Sequence, residues 1–320
     1  MKKVYLLAFA LLIASALNAQ EKWGIAIHGG AGNITPKNLS GPDSLKYKSA
    51  LDSALSIGSS ILKNGGNCED AVTKVICYLE DNPLFNAGKG SVFTSEGKNE
   101  LDACIMKGET LESGAVAGVG DIKNPILAAR AVMEKSSSVL LTGIGASRFA
   151  RTAGLEMVDS SYFFTKKSWE SLQKAKTAEI KEKHGTVGCV ALDIHGNLAA
   201  ATSTGGMTNK RPGRIGDSPI VGAGTYADNR SCAISCTGHG EFFIRYTVAR
   251  SVAALVEYRA MDLDEAVRQI LWETLDPVGG KGGIIAIDRN GNMVMDFNTP
   301  GMFRGYQSFN GKKIIELFKP

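Results

Sequence analysis

The chain of 320 residues is 44% hydrophobic and 21% charged with a net charge of +4, which excludes a disordered or collagenous chain. No basic stripe emerges, so nucleic acid is not an expected partner. Glycine is abundant, at 37 residues against average usage of ~7%, and four histidines leave little for histidine catalysis or a multi-histidine metal centre.

Residues 1–19 read as a secretory signal peptide. Lys2 and Lys3 form a basic start, Val4 to Ala16 an apolar run, and Leu17-Asn18-Ala19 a cleavage site. An uncleaved anchor is the weaker alternative, because the run is short for a membrane span and no later stretch approaches the required length. Gln20 then begins the mature protein, in a bacterial periplasm or outside the cell, with no membrane association.

A strand is predicted over Trp23–Ile27, running into His28-Gly29-Gly30-Ala31-Gly32. Apolar residues at three- and four-residue spacing predict a helix over Leu45–Leu62, closed by Asn64-Gly65-Gly66. A second helix spans Cys68–Glu80 and stops before Pro83. Two or three short strands fall between Ser91 and Gly118, and helical patterns return at Ile126–Lys135 and Ala146–Ala153. Residues 165–183 are rich in Lys and Glu and read as a surface helix that frays towards its end. Strands follow at Val187–Asp193, Leu198–Thr204, Ile220–Gly224 and Cys232–Cys236, then helices at Glu241–Glu257 and Leu263–Leu275. A closing hairpin pairs Gly283–Asp288 with Met293–Phe297. The order lacks regular β-α-β alternation, so antiparallel sheets covered by helices fit better than a parallel sheet.

Six cysteines, Cys68, Cys77, Cys104, Cys189, Cys232 and Cys236, match no disulfide framework or zinc spacing, and buried free thiols are the favoured reading. Cys232 and Cys236 touch only if their strand is bulged or bent. No G-x-S-x-G, H-E-x-x-H or phosphate-loop motif occurs, and Gly143-Ile144-Gly145 reads as a strand-to-helix turn. His28-Gly29-Gly30 reads either as an oxyanion-type loop or as a glycine turn with a packed histidine.

The informative stretch runs from His184 to Glu241. It holds Gly185-Thr186-Val187-Gly188, Thr202-Ser203-Thr204-Gly205-Gly206, Gly213-Arg214-Ile215-Gly216-Asp217-Ser218 and Thr237-Gly238-His239-Gly240-Glu241. Short polar residues and glycines crowd predicted strand ends there. With His28-Gly29-Gly30-Ala31-Gly32, Phe85-Asn86-Ala87-Gly88, Leu101-Asp102-Ala103 and Gly222-Ala223-Gly224 before Tyr226-Ala227-Asp228, the mature chain closely resembles the plant-type asparaginases, or isoaspartyl peptidases, of the N-terminal nucleophile hydrolases.

That resemblance implies an α+β fold, a four-layer αββα sandwich of antiparallel sheets. It also implies a chain that cuts itself between Gly185 and Thr186 into subunits 20–185 and 186–320, which pair as (αβ)2. Thr186 then carries both a hydroxyl nucleophile and a free α-amine, whose reference pKa of ~7.7–8.0 suits a general base. By the same resemblance Thr204 supports the nucleophile, Arg214 takes the substrate α-carboxylate and Asp217 its α-ammonium. Thr237 and the Gly238 N–H form the oxyanion hole, and Asn86 brings its amide to the site. His28 and His239 are structural neighbours. Carbonyls of Leu79, Glu80, Asn82, Phe85, Ala87 and Lys89 are expected to wrap a sodium ion, a hard cation suited to oxygen, and no other cofactor is required. The implied reaction is hydrolysis of L-asparagine and β-aspartyl dipeptides. A glycosylasparaginase is the enzymatic alternative, although Gly185-Thr186 and Thr204-Gly205-Gly206 favour the asparaginase branch. A periplasmic amino-acid-binding protein using Arg214 and Asp217 only for capture is the alternative of another class.

Overall fold

The computed structural model describes residues 22–177 and 185–319. The predicted signal peptide, the end of the charged helix near 178–183 and His184 lie outside the described residues.

Strand β1 (Gly24–Gly32) leads to helix α1 (Gly41–Lys63), which starts where the Ser40 hydroxyl accepts the Asp43 N–H and Pro42 occupies the first turn. Helix α2 (Cys68–Asp81) follows, then β2 (Leu101–Lys107), β3 (Ser113–Val119), α3 (Pro125–Lys135), β4 (Leu140–Thr142), α4 (Gly143–Thr152) and α5 (Lys166–Thr177). The second part comprises β5 (Val187–Leu192), β6 (Leu198–Thr204), β7 (Thr225–Ala227), β8 (Cys232–Gly238), α6 (Gly240–Arg245), α7 (Val248–Arg259) and α8 (Leu263–Arg268). Strands β9 (Gly282–Asp288), β10 (Met293–Phe297), β11 (Gly301–Ser308) and β12 (Lys313–Phe318) end the chain.

The strands form an eight-stranded sheet, β12-β11-β1-β5-β6-β2-β3-β4, and a four-stranded sheet, β10-β9-β8-β7. All pairings are antiparallel except β3 with β4. Alternation along each strand divides the core between two layers. Ile25, Ile27, Val187, Cys189, Ala191, Ala199 and Ala201 pack towards α1, α2 and α3, whereas Ala26, Val190, Leu192, Leu198 and Ala200 pack against the smaller sheet. Helices α7 and α8 cover the far side of that sheet through Val252, Ala253, Ala266 and Val267. The result is the expected αββα sandwich.

Four sequence expectations are corrected. Ile220–Gly224 is a series of turns rather than a strand, bonded to itself through Ala223 N to Ile220 O and to Asp217 O through Gly224 N. The helix expected over Glu241–Glu257 is broken between α6 and α7 at Thr247, whose φ is +45°. The helix expected to end at Leu275 widens at Gln269 into a π turn running to Leu275. The hairpin ending at Phe297 does not close the fold, because β11 follows it and pairs with β1. All six cysteines are free thiols, and Cys232 and Cys236 lie on the unbulged register of β8 with β9.

Candidate active site

Strand pairing assembles the site in rows. On the face turned to the smaller sheet, Thr204 of β6 stands opposite Asp102 of β2, and Thr186 lies one residue before the Val187–Ser203 pair. From the facing sheet, Thr237 sits at the end of β8. Thr186, Thr204 and Thr237, distant in sequence, thereby meet at one end of the sandwich, and all three are buried.

The Gly185–Thr186 peptide is held on several sides. The Asn86 amide donates to the Gly185 carbonyl at 2.7 Å, and the Thr204 hydroxyl donates to the same oxygen at 2.9 Å. The Thr186 hydroxyl donates to Thr204 Oγ1 at 3.1 Å, and Gly206 N–H donates to that oxygen at 2.9 Å. Asn86 is itself fixed, since Nδ2 also donates to Gly206 O at 2.7 Å and Oδ1 accepts the Val92 N–H at 2.9 Å. Gly29 and Gly30 form a bulge between β1 and β11. Gly30 has φ +106°, and a Cβ there would lie 3.0 Å from Gly185 Cα and 3.2 Å from Thr186 N. Glycine lets the backbone press directly on this peptide. His28 supplies another contact, its Nδ1 lying 3.1 Å from the Thr186 carbonyl oxygen. Burial depresses its pKa to about 3, against a weaker opposing effect of that contact, so the imidazole is neutral at neutral pH.

Beside this junction is a cleft lined by Thr186, Thr204, Gly206, Arg214, Asp217 and Gly238, among others. Arg214 and Asp217 do not pair with each other. The Arg214 guanidinium is instead gripped by Glu241, Nε to Oε1 at 2.9 Å and Nη2 to Oε2 at 3.0 Å, a bidentate geometry that sets the plane of the fork. Gly216 and Gly240 flank it, since a Cβ at either would stand 2.9 Å from a guanidinium nitrogen. Asp217 is buried with Oδ2 lacking a hydrogen-bond partner, and burial raises its pKa to about 7 against the pull of Arg214. Thr237 Oγ1 is likewise buried without a partner. Two unsatisfied polar groups at one cleft are costly to folding on their own, and such atoms are often reserved for a ligand.

In the 79–89 loop, Leu79 O, Asn82 O and Ala87 O each accept one backbone N–H, at 3.4, 3.3 and 3.2 Å. A Cβ at Gly88 would stand 2.4 Å from Glu80 O. The donor set is oxygen, as a hard cation requires. The Lys89 ammonium lies over the Tyr162 ring, and the Phe85 ring packs edge-on to Tyr47. The Glu80 carboxyl accepts the Ser203 hydroxyl at 2.6 Å and the Ile126 N–H at 3.0 Å, and burial pushes its pKa up to about 8.

The chain as a whole also matches known proteins. The asparaginase family profile matches residues 21–316. The chain is 50% identical over 294 residues to the isoaspartyl peptidase of Escherichia coli (strain K12), covering 88% of this chain and 92% of that protein. It is 42% identical to the isoaspartyl peptidase/L-asparaginase of Danio rerio, over 86% of this chain and 89% of the relative. The Bos taurus protein of the same name is 41% identical, at 87% and 91% coverage. A threonine held at the start of a central strand in an αββα sandwich, together with these matches, places the chain in the asparaginase family of N-terminal nucleophile hydrolases.

Proposed function

We propose that this hydrolase cuts itself between Gly185 and Thr186 and that the released Thr186 hydrolyses L-asparagine and β-aspartyl dipeptides. The observation that carries this reading is the clasp on the Gly185 carbonyl by Asn86 and Thr204, with the Thr186 hydroxyl bonded to Thr204. Attack of Thr186 Oγ1 on the Gly185 carbonyl carbon puts negative charge on an oxygen already facing two donors. The Thr204 hydroxyl accepts the nucleophile's hydrogen bond and donates to that oxygen, a path for the proton. Loss of the C–N bond, with that proton passing on to the departing nitrogen, leaves an ester on Thr186 and frees its amine. Water then opens the ester, yielding the Gly185 carboxylate and the Thr186 hydroxyl.

In the mature site the freed α-amine takes the hydroxyl proton, Arg214 binds the substrate α-carboxylate and Asp217 its α-ammonium. Thr237 Oγ1 and the Gly238 N–H receive the oxyanion. Carbonyls of Leu79, Glu80, Asn82, Phe85, Ala87 and Lys89 would hold a sodium ion, which supplies charge to stiffen the loop carrying Asn86. Residues 1–19 direct export to the periplasm, and the two subunits pair as (αβ)2.

Purified protein from an exporting host should give two bands on a denaturing gel, with N-termini reading from Gln20 and Thr186. A single persistent band near full length overturns the self-cut. Kinetics on L-asparagine, a β-aspartyl dipeptide and a glycosylated asparagine then rank the substrates, and turnover of the glycosylated compound alone overturns the substrate assignment.

The pH dependence follows from the groups in the cleft. In the free enzyme Asp217, with its pKa raised to about 7, must lose a proton to bind an ammonium, and the Thr186 amine must be neutral to act. Both requirements fail as pH falls. In the complex the substrate ammonium keeps Asp217 ionised, so only the amine still limits the rate. Well below pH 7, kcat/KM is expected to fall with the square of proton concentration and kcat with its first power. Equal slopes for the two in a pH-rate series remove Asp217 from the ammonium site.

A further inference from the structure

One pleat below the threonines lies a second row of polar groups. His28 pairs with Gly188, and Gly188 with Thr202, across the large sheet. On the facing sheet Thr225 pairs with Ser235. The side chains meet between the sheets: His28 Nε2 to Ser235 Oγ at 3.0 Å, Ser235 Oγ to Thr202 Oγ1 at 2.6 Å, and Thr225 Oγ1 to Thr202 Oγ1 at 2.7 Å. Thr225 Oγ1 also lies 3.0 Å from Ser218 O, next to Asp217. All four side chains are wholly buried. The next row down is apolar, with Ala26, Val190 and Ala200 side by side. The polar row thus lies directly beneath the nucleophile, between it and the apolar core.

The direction of the chain is set by its end. The Thr186 carbonyl can only accept, so Nδ1 carries the imidazole hydrogen and Nε2 accepts from Ser235. Ser235 then accepts from Thr202, while the Thr225 hydroxyl has one hydrogen to share between Thr202 Oγ1 and the Ser218 carbonyl. From Thr202 to His28 each donor points towards Thr186, an alignment in which successive bonds polarise one another. Gly188 makes the meeting possible, because a Cβ there would lie 2.1 Å from both His28 Nε2 and Ser235 Oγ.

We propose that His28, Ser235, Thr202 and Thr225 are positioning residues that pin the Thr186 main chain through its carbonyl and tie it to the loop bearing Asp217. This inference rests on Thr186 being the nucleophile. Each of the four acts through Thr186 and touches no substrate. Loss of one link therefore slackens the nucleophile in both the self-cut and turnover, while substrate binding by Arg214 is spared.

The test uses full-length protein carrying Thr202→Val, which keeps shape and removes the hydroxyl, with Thr202→Ser as the conservative control. Thr202→Val is expected to slow self-cutting and lower kcat for L-asparagine by about tenfold each, the worth of one buried hydrogen bond, with KM within about twofold. Thr202→Ser should restore both. Ser235→Ala should resemble Thr202→Val, and the double variant should fall no further than either alone, as expected of residues acting as one unit. If Thr202→Val fails to fold, Ser235→Ala alone carries the same expectation. A lowered melting temperature with kcat and cutting rate unchanged overturns the positioning role, as does multiplication of the two single effects. Activity surviving Thr186→Ala would instead remove the nucleophile reading beneath it. Activity lost there but untouched in Thr202→Val and Ser235→Ala overturns this inference alone.

Discussion

Thr186→Ala is expected to leave the chain in one piece and to abolish ammonia release from L-asparagine. Its hydroxyl is bonded at 3.1 Å to Thr204 Oγ1 and stands next to the clasped Gly185 carbonyl. Alanine removes that oxygen from both reactions. The uncut chain also keeps its α-nitrogen as an amide, which is no base, so nucleophile and base vanish together. An ammonia assay and a denaturing gel of the same preparation read both losses. Thr186→Ser separates them from misfolding, since serine keeps the oxygen and should cut, more slowly for want of the methyl that restricts χ1. Full activity in Thr186→Ala, or a cut chain there, assigns the chemistry to another residue.

Asn86→Ala is expected to slow the self-cut by about 10²–10³-fold, the usual worth of one oxyanion donor. The Asn86 amide reaches Gly185 O and Gly206 O at 2.7 Å each, so its loss strips one of two donors from the scissile carbonyl and loosens the turn after Thr204. Asn86→Asp is the sharper variant, because the side chain keeps its size but, ionised, has no hydrogen to donate. The Gly205 N–H to Asn86 O bond at 3.1 Å is main-chain and survives either change. A time course on a gel, following freshly made protein, gives the rate directly. Wild-type cutting in Asn86→Asp removes the amide from the clasp.

What the sequence made legible follows from the kind of signal each feature leaves. Helices α1 and α2 announce themselves through Leu51, Ala54, Leu55 and Leu62, or Val72, Val75, Ile76 and Leu79, which recur on one face and are buried. Strand β11 carries Gly301 and Gly305 and a buried Arg304, so its composition reads as a turn although it pairs on both sides. The break at Thr247 is set by tertiary contacts, the Ala249 and Arg250 N–H groups donating to Ala223 O at 3.1 Å and Gly222 O at 2.8 Å, and no Gly or Pro marks it. The Ile220–Gly224 stretch looks strand-like by its apolar residues, but its Ile220 and Gly224 amides donate to Asp217 O while the Gly222 and Ala223 carbonyls accept from Arg250 and Ala249 at the start of α7.

The site shows the same division. Short motifs point to Thr186, Thr204, Arg214, Asp217 and Gly238 individually, and the fold brings them to one cleft. Glu241 as the partner of Arg214 was missed, because nothing local distinguishes it from any exposed helix-start acid. A signal was present in Gly216 and Gly240, whose missing side chains leave room for the guanidinium. Of the two readings open for His28, the packed histidine is the one the fold realises, and its contact with Thr186 O depends on register across β1 and β5.

The order of strands has a consequence for the life of the molecule. In the large sheet β1 lies between β11 and β5, while β6 lies against β2. Residues from both sides of position 185 are therefore braided through one sheet, and a break there frees neither piece. With the proposed self-cut, folding before the break is a one-body event; afterwards the denatured state consists of two independent bodies, and recovery depends on their concentration. A chain matured in that way is assembled as a single thread, and dilution then works against its recovery from unfolding.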